Sequence, residues 1–129
     1  MIFHFLLLID EIEDFVLEIQ LHEDNTFLDF HRAIQQALNF DNNSLASFWR
    51  TDENWQKLSE ATLIDMDENG HLLMEDLNIK DWCRRKGQRF LYIFDYFTDR
   101  SLFVKLVDIM DFDTDPGIFP VVVKLQGNK

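Results

Sequence analysis

The chain has 129 residues with 24 acidic and 12 basic side chains, a formal net charge of −12 and a hydrophobic content of 47%. This length predicts a single domain over residues 1–129 that is large enough to bury a core. Because proteins that hold nucleic acid or anionic membranes use clustered Lys and Arg, the charge balance argues against both kinds of direct binding. It favours a basic protein partner, or a charge that serves solubility alone.

Cysteine content and the N-terminal residues predict the compartment. The single cysteine, Cys83, cannot form an internal disulfide, which is typical of proteins in a reducing cytoplasm. The apolar start at residues 2–9 has no basic leader and no small-residue cleavage site, and no segment approaches the roughly 20 apolar residues of a membrane span. We therefore expect a cytoplasmic protein.

Three strands are predicted in the first half of the chain. Residues 2–9 are apolar on both faces apart from His4, as in a strand that is covered on both sides. Residues 15–21 alternate between apolar and mostly polar side chains, which predicts a half-buried strand. Residues 45–50 follow with Phe48 and Trp49 and predict a third strand.

A helix is predicted between the second and third strands. Thr26 can cap it, and Asp29 stands at the position of the capping-box acid. Its apolar and aromatic residues, together with one histidine, recur at helical spacing and form one continuous stripe: Phe27, Phe30, His31, Ile34, Ala37 and Leu38. The helix therefore runs to Leu38 and packs one face on the sheet.

The second half of the chain predicts a short helix and three more strands. Residues 51–70 are polar and weakly patterned, and we interpret them as a connection. Residues 75–86 predict a helix with Gly87 as its C-cap, and the strands follow at 90–97, 101–109 and 119–125. The order β-β-α-β then β-β-β predicts an α+β domain, a mixed sheet with one main helix on a face, similar to a β-grasp.

Several of these segments resemble one protein family. Thr26 to Leu38 and the residues that follow to Phe48 resemble the helix-and-strand block of the Ri-plasmid ORF-3-like family. The segment from Phe90 to Arg100 resembles that family's Tyr-x-Tyr-Asp-Phe-Gly-Asp block, and Pro120 with the valines after it resembles the proline and short strand that end its members. The resemblance implies a bacterial or archaeal protein, often encoded near mobile elements, and no established activity. His31, Asp95 and Asp99 are positions that match the family.

An acidic segment predicts a candidate cation site. Residues 65–76 match a calcium loop, with Asp65, Asp67 and Asn69 at the first, third and fifth positions and Gly70 at the sixth. The twelfth position is Asp76, whose side chain is one methylene shorter than the glutamate that captures Ca²⁺ with both oxygens. An acidic turn around Asn69-Gly70 is the alternative interpretation.

His31 and the residues near the end of the 90–97 strand are the other candidates. His31 can be a general base if Asp95 approaches it, but a hydrogen-bonded core histidine is the favoured interpretation. Asp95, Asp99 and Arg100 are interpreted first as residues that fix a turn and second as a site.

The motifs favour a non-catalytic protein-interaction module over an enzyme. No Ser-His-Asp, Cys-His, phosphate-loop or dinucleotide signature is present in the sequence. Two alternatives stay open: a Ca²⁺- or Mg²⁺-binding domain that uses residues 65–76, and a mobile-element accessory protein or DNA mimic that binds a basic protein. We expect no bound cofactor, and we expect a protein partner or a second copy of the chain.

Overall fold

The computed structural model describes residues 1–9, 12, 14–39, 45–64, 72–95, 100–111 and 113–127. Within them lie two α-helices, α1 (Phe27–Leu38) and α2 (Ile79–Trp82), and two short 3₁₀ turns at Met74–Asp76 and Pro116–Ile118. The strands are β1 (Ile2–Leu8), β2 (Val16–His22), β3 (Ser47–Thr51), β4 (Lys57–Thr62), β5 (Leu72–Leu73), β6 (Arg89–Asp95), β7 (Arg100–Met110) and β8 (Val121–Gln126).

The described strands form one sheet in the order β5-β4-β3-β6-β7-β1-β2-β8. The β4–β5 pair is parallel and the other neighbours are antiparallel, so the sheet is mixed. The α+β class, the mixed sheet and the main helix on one face are therefore confirmed. The finer likeness to a β-grasp stays a prediction.

Helix α1 begins and ends where the sequence predicts. The Thr26 hydroxyl accepts a hydrogen bond from the Asp29 amide at 3.1 Å, and the Asp29 carboxylate accepts one from the Thr26 amide at 2.9 Å. This capping box satisfies two amides that lack partners inside the helix. At the other end Asn39 adopts a left-handed conformation with φ of 58°, and its amide donates to the Gln36 carbonyl at 3.3 Å.

Aromatic side chains hold α1 against the centre of the sheet. The Phe30 ring lies 4.8 Å from the Phe5 ring and 5.0 Å from the Phe48 ring, measured between centroids. The Phe27 ring lies 5.1 Å from that of Phe48 and 6.2 Å from that of Phe90. All five side chains are buried, so β1, β3 and β6 are tied together through one helix face.

Two predicted segments differ from the structure. The supposed connection at residues 51–70 contains β4, which pairs with β3 although its sequence Lys-Leu-Ser-Glu-Ala-Thr is mostly polar. The predicted helix at residues 75–86 is wrong in extent: the chain forms a 3₁₀ turn at 74–76 and then the four-residue α2. Helix α2 ends because Cys83 is extended and the Gln88 side chain accepts the amides of Arg84 and Arg85, in place of helical carbonyls.

No helix within the described ranges combines the length and apolar character needed to cross a bilayer.

The aromatic contact beneath α1 predicts a large loss of stability on truncation. Phe30→Ala should lower the free energy of unfolding by about 3–5 kcal/mol, because it removes a fully buried ring and leaves a cavity. Urea unfolding followed by circular dichroism measures this, with Phe30→Leu as the variant to use if Phe30→Ala does not fold. Gln36→Ala, on the exposed side of the same helix, should change stability by less than about 0.5 kcal/mol. Equal effects of Phe30→Leu and Gln36→Ala would contradict the packing account.

Candidate functional site

His31 lies on the buried side of α1 and meets a tyrosine of β6. His31 is 4% exposed, and its Nδ1 lies 2.8 Å from the Tyr92 hydroxyl. The Gln35 side-chain amide donates to the same hydroxyl at 2.6 Å. Because the hydroxyl oxygen accepts from Gln35, its proton can be donated to His31 Nδ1, which suits a neutral imidazole. The three side chains form one buried hydrogen-bonded group.

Electrostatics keep this histidine neutral. Burial, together with the smaller effect of the nearby positive charge of Arg32, lowers the pKa of His31 from 6.5 to about 4. A general base works best with a pKa near the operating pH, so this environment does not suit His31 to that role at neutral pH. The position agrees with the interpretation of His31 as a hydrogen-bonded core histidine.

An open cavity of about 530 Å³ lies beside this group, along α1. His31 and Gln35 line part of it, together with the more exposed Arg32 and Gln36. Gln35 is 1% exposed, and its Oε1 has no hydrogen-bond partner in the described part of the chain. Gln35 Oε1 is therefore a buried hydrogen-bond acceptor on the wall of this cavity.

Asp95 is the last residue of β6, and Arg100 is the first residue of β7. Asp95 pairs in register with Arg100, whose guanidinium lies 5.0 Å from the centre of the Phe94 ring. Asp99 lies outside the described residues. The structure thus pairs Asp95 with Arg100 across the two strands. The side chain that contacts His31 through its hydroxyl is that of Tyr92.

The candidate calcium loop falls mostly outside the described residues. Asp65, Asp67 and Asn69 are among the residues that the structure does not describe, and Asp76 lies exposed in the 3₁₀ turn at 74–76. Within the described ranges no three His, Cys, Asp or Glu side chains are grouped so that they can hold a metal ion. A cation site at residues 65–76 stays a prediction.

Strand β8 forms one edge of the sheet and exposes apolar side chains. It pairs with β2 on one side, and among the described residues no strand pairs with its other side. Val121, Val122, Val123 and Leu125 are 36–49% exposed. Helix α1 approaches β8, yet all six residues of the strand remain exposed. An edge of this kind presents free backbone amides and carbonyls beside apolar side chains.

Acidic residues lie near both ends of β8. Asp113 and Asp115 are exposed on the connection that leads into the strand. At its other end, a Cβ placed on Gly127 would lie 2.8 Å from the carbonyl oxygen of Asp14, so the exposed Asp14 is adjacent there. Lys124 is the one charged side chain of β8, and it pairs across the strands with Glu18. The apolar edge therefore lies between negative charges.

Sequence reasoning predicted the strand but missed its edge position. A run of three valines is typical of a strand that is covered on both sides, and such a pattern does not say which strands are neighbours. The available signal is Lys124, because a lysine within a strand is one of the features by which proteins protect an exposed edge.

Comparison with known proteins identifies the family. A model of the plasmid pRiA4b ORF-3-like proteins matches residues 3–129. The chain belongs to the plasmid pRiA4b ORF-3-like family. The predicted resemblance is thus confirmed over nearly the whole length of the chain.

One solved structure shares the fold of this family member. It is the crystal structure of a protein of unknown function, MM3350 from Methanosarcina mazei Go1, with a TM-score of 0.73 and 21% sequence identity. The match covers 96% of this chain and 68% of that one. The comparison with curated proteins gives no significant match. The likeness to MM3350 shows the fold alone.

The buried histidine predicts a specific dependence of stability on pH. The pKa of His31 is lower in the folded chain than in the unfolded one, so its contribution is fully present above about pH 6.5 and is lost as the pH falls toward about 4. Between about pH 7 and about pH 5 this one group should remove about 2 kcal/mol from the free energy of unfolding. Urea unfolding across that range, compared between the native chain and His31→Gln, isolates the effect.

The variant His31→Gln keeps a neutral polar group next to Tyr92 and cannot titrate. Its stability should fall less steeply with decreasing pH than that of the native chain. Identical slopes for the native chain and His31→Gln would show that His31 is not held neutral.

Proposed function

We propose that this protein is a non-catalytic interaction module that binds an extended polypeptide strand along the free side of β8. The observation that carries the proposal is the edge itself, six consecutive exposed residues with four large apolar side chains among them. A strand that adds to a sheet edge gains backbone hydrogen bonds for affinity and contacts with alternate side chains for specificity.

Charge supports a basic partner. Asp14 lies near one end of β8, and Asp113 and Asp115 lie on the connection into the other, so lysines or arginines that flank an apolar strand would meet carboxylates at both ends. A second copy would bring another net charge of −12 to the same surface, which opposes self-association. The partner is therefore an extended apolar segment flanked by basic residues. A basic DNA-binding protein can supply such a segment, and this chain would then be its accessory protein.

The environments of His31 and Cys83 support a non-catalytic role. The lowered pKa of His31 does not suit general-base catalysis near neutral pH. Burial raises the pKa of the Cys83 thiol, which leaves it protonated and poorly nucleophilic. A buried single thiol also supports the proposed cytoplasmic location.

A designed peptide tests strand addition. The probe is a synthetic peptide of alternating valine and threonine with lysine pairs at both ends, labelled for fluorescence anisotropy. It should bind the native chain, and Val121→Lys should weaken binding at least about tenfold, because it puts a positive charge on the docking edge. Val107→Lys is the matched control: Val107 and Val121 are both 36% exposed, but Val107 lies on β7 inside the sheet, and its substitution should leave binding unchanged.

Three results would contradict the proposal. The first is equal binding of a peptide with glutamate pairs in place of the lysines, since the acidic residues would then play no part. The second is an equal loss of binding in Val121→Lys and Val107→Lys. The third is a concentration-dependent dimer of the native chain that excludes the peptide, which would identify a second copy as the occupant.

A further inference from the structure

Half of the basic side chains in this acidic protein gather around two adjacent clefts. Six of the chain's 12 Lys and Arg residues line them. The smaller cleft, about 470 Å³, is lined by Arg50, Arg84 and Arg85, and the larger, about 640 Å³, by Arg50, Arg85, Lys86, Arg89 and Lys105. Arg50, Arg85 and Gln88 border both. The helix predicted over residues 75–86 would include Arg84 and Arg85, whereas α2 ends at Trp82 and leaves both outside it.

A fixed loop presents the arginines of the smaller cleft. The Gln88 side-chain carbonyl accepts the amides of Arg84 and Arg85, and its amide donates to the Trp82 carbonyl at 2.8 Å. The loop is also tied to β7, because the Gly87 amide donates to the Leu106 carbonyl at 2.8 Å and the Leu106 amide donates to the Gln88 carbonyl at 2.9 Å. A loop held in this way presents its arginine side chains from a rigid base, which lowers the ordering cost of binding.

The carboxylates of Asp52, Glu53 and Asp81 also line the clefts, and two of them accept hydrogen bonds from backbone amides. Asp52 Oδ1 accepts the amides of Asn54 at 2.8 Å and Gln56 at 2.9 Å. Asp81 Oδ2 accepts the amide of Asn78 at 2.8 Å. Within the described ranges, neither Arg84 nor Arg85 has a carboxylate within ion-pair distance. These two guanidinium groups keep their donors for an incoming anion.

The remaining cations are partly engaged. Lys86 pairs with Asp108 at 3.3 Å, and Arg89 donates to the Glu53 carbonyl and lies 5.1 Å from the centre of the Trp55 ring. Arg50 donates to the Ser59 hydroxyl at 3.1 Å with one of its nitrogens. Arg84, Arg85, the rest of Arg50 and Lys105 are therefore the groups that face a ligand.

We infer that the paired clefts bind a small phosphorylated molecule that carries two adjacent phosphoryl groups. Planar guanidinium groups match phosphoryl oxygens with paired hydrogen bonds, and clefts of this size are typical of small-ligand sites. Two clefts that share Arg50 and Arg85 suit a diphosphate better than a single anion. The strong negative charge of the rest of the chain disfavours a long nucleic acid on the same surface. This site is independent of strand addition at β8.

Calorimetric titration with inorganic pyrophosphate tests the inference. Pyrophosphate should bind the full chain, inorganic phosphate should bind about tenfold more weakly, and sulfate at the same ionic strength should not compete. The double variant Arg84→Gln with Arg85→Gln should weaken pyrophosphate binding at least about tenfold, because it removes two charged hydrogen-bond donors. Both side chains are exposed, so the fold should be retained. Arg32→Gln, an exposed arginine of α1 outside the clefts, is the matched control and should bind normally.

Arg50→Lys separates geometry from charge. It keeps the positive charge and loses the planar fork, so it should weaken pyrophosphate binding more than Lys105→Arg does. The inference is overturned if pyrophosphate shows no heat at millimolar concentration, if sulfate competes equally, or if Arg32→Gln loses as much affinity as the double variant. It is also overturned if a single-stranded oligonucleotide binds more tightly than pyrophosphate with an affinity that increases with its length.

Discussion

The contact of Phe27 and Phe30 with the sheet is the constraint on which the rest of the structure depends. These two rings meet Phe5, Phe48 and Phe90 from three different strands, so one helix face fixes how β1, β3 and β6 lie relative to each other. The next residue along the helix, His31, is carried into the interior by the same packing. Its neutral state and its bond to Tyr92 follow from where the phenylalanines place it.

The elements that the sequence predicted well are those with a strong local pattern. Helix α1 has a capping box at Thr26, a continuous apolar stripe and turn-forming residues after it, so local signals and tertiary packing agree. Strand β4 was missed because Lys57 to Thr62 has little local preference for a strand and is held by its pairing with β3. The segment after Glu75 was predicted as one long helix for a related reason. Its helical spacing holds over four residues, and beyond them the Gln88 side chain accepts a backbone amide in place of a helical carbonyl.

Candidate sites were harder to predict because they depend on which distant segments meet. No spacing rule connects His31 with Tyr92, or Arg50 and Lys105 with the loop around Arg85, since these pairs come together only through the order of strands in the sheet. The valines of β8 show a different limit of sequence-based prediction. Their pattern identified a strand correctly, but whether a strand is central or at an edge is set by topology, and that difference separates a core element from an interaction surface.

The described structure has a closely packed aromatic centre, a pair of clefts lined by basic residues, and an apolar edge strand with acidic residues near both ends. The central functional claim is that β8 accepts a partner strand along its free side. Hydrogen exchange of the backbone amides of Val121–Gln126, measured with and without the lysine-flanked peptide, tests it directly. Strand addition predicts slower exchange at alternate amides of β8 and no change at Leu72 and Leu73 of β5, the opposite edge of the sheet. Unchanged exchange in β8 at saturating peptide, or protection that appears at β5 instead, would contradict the account.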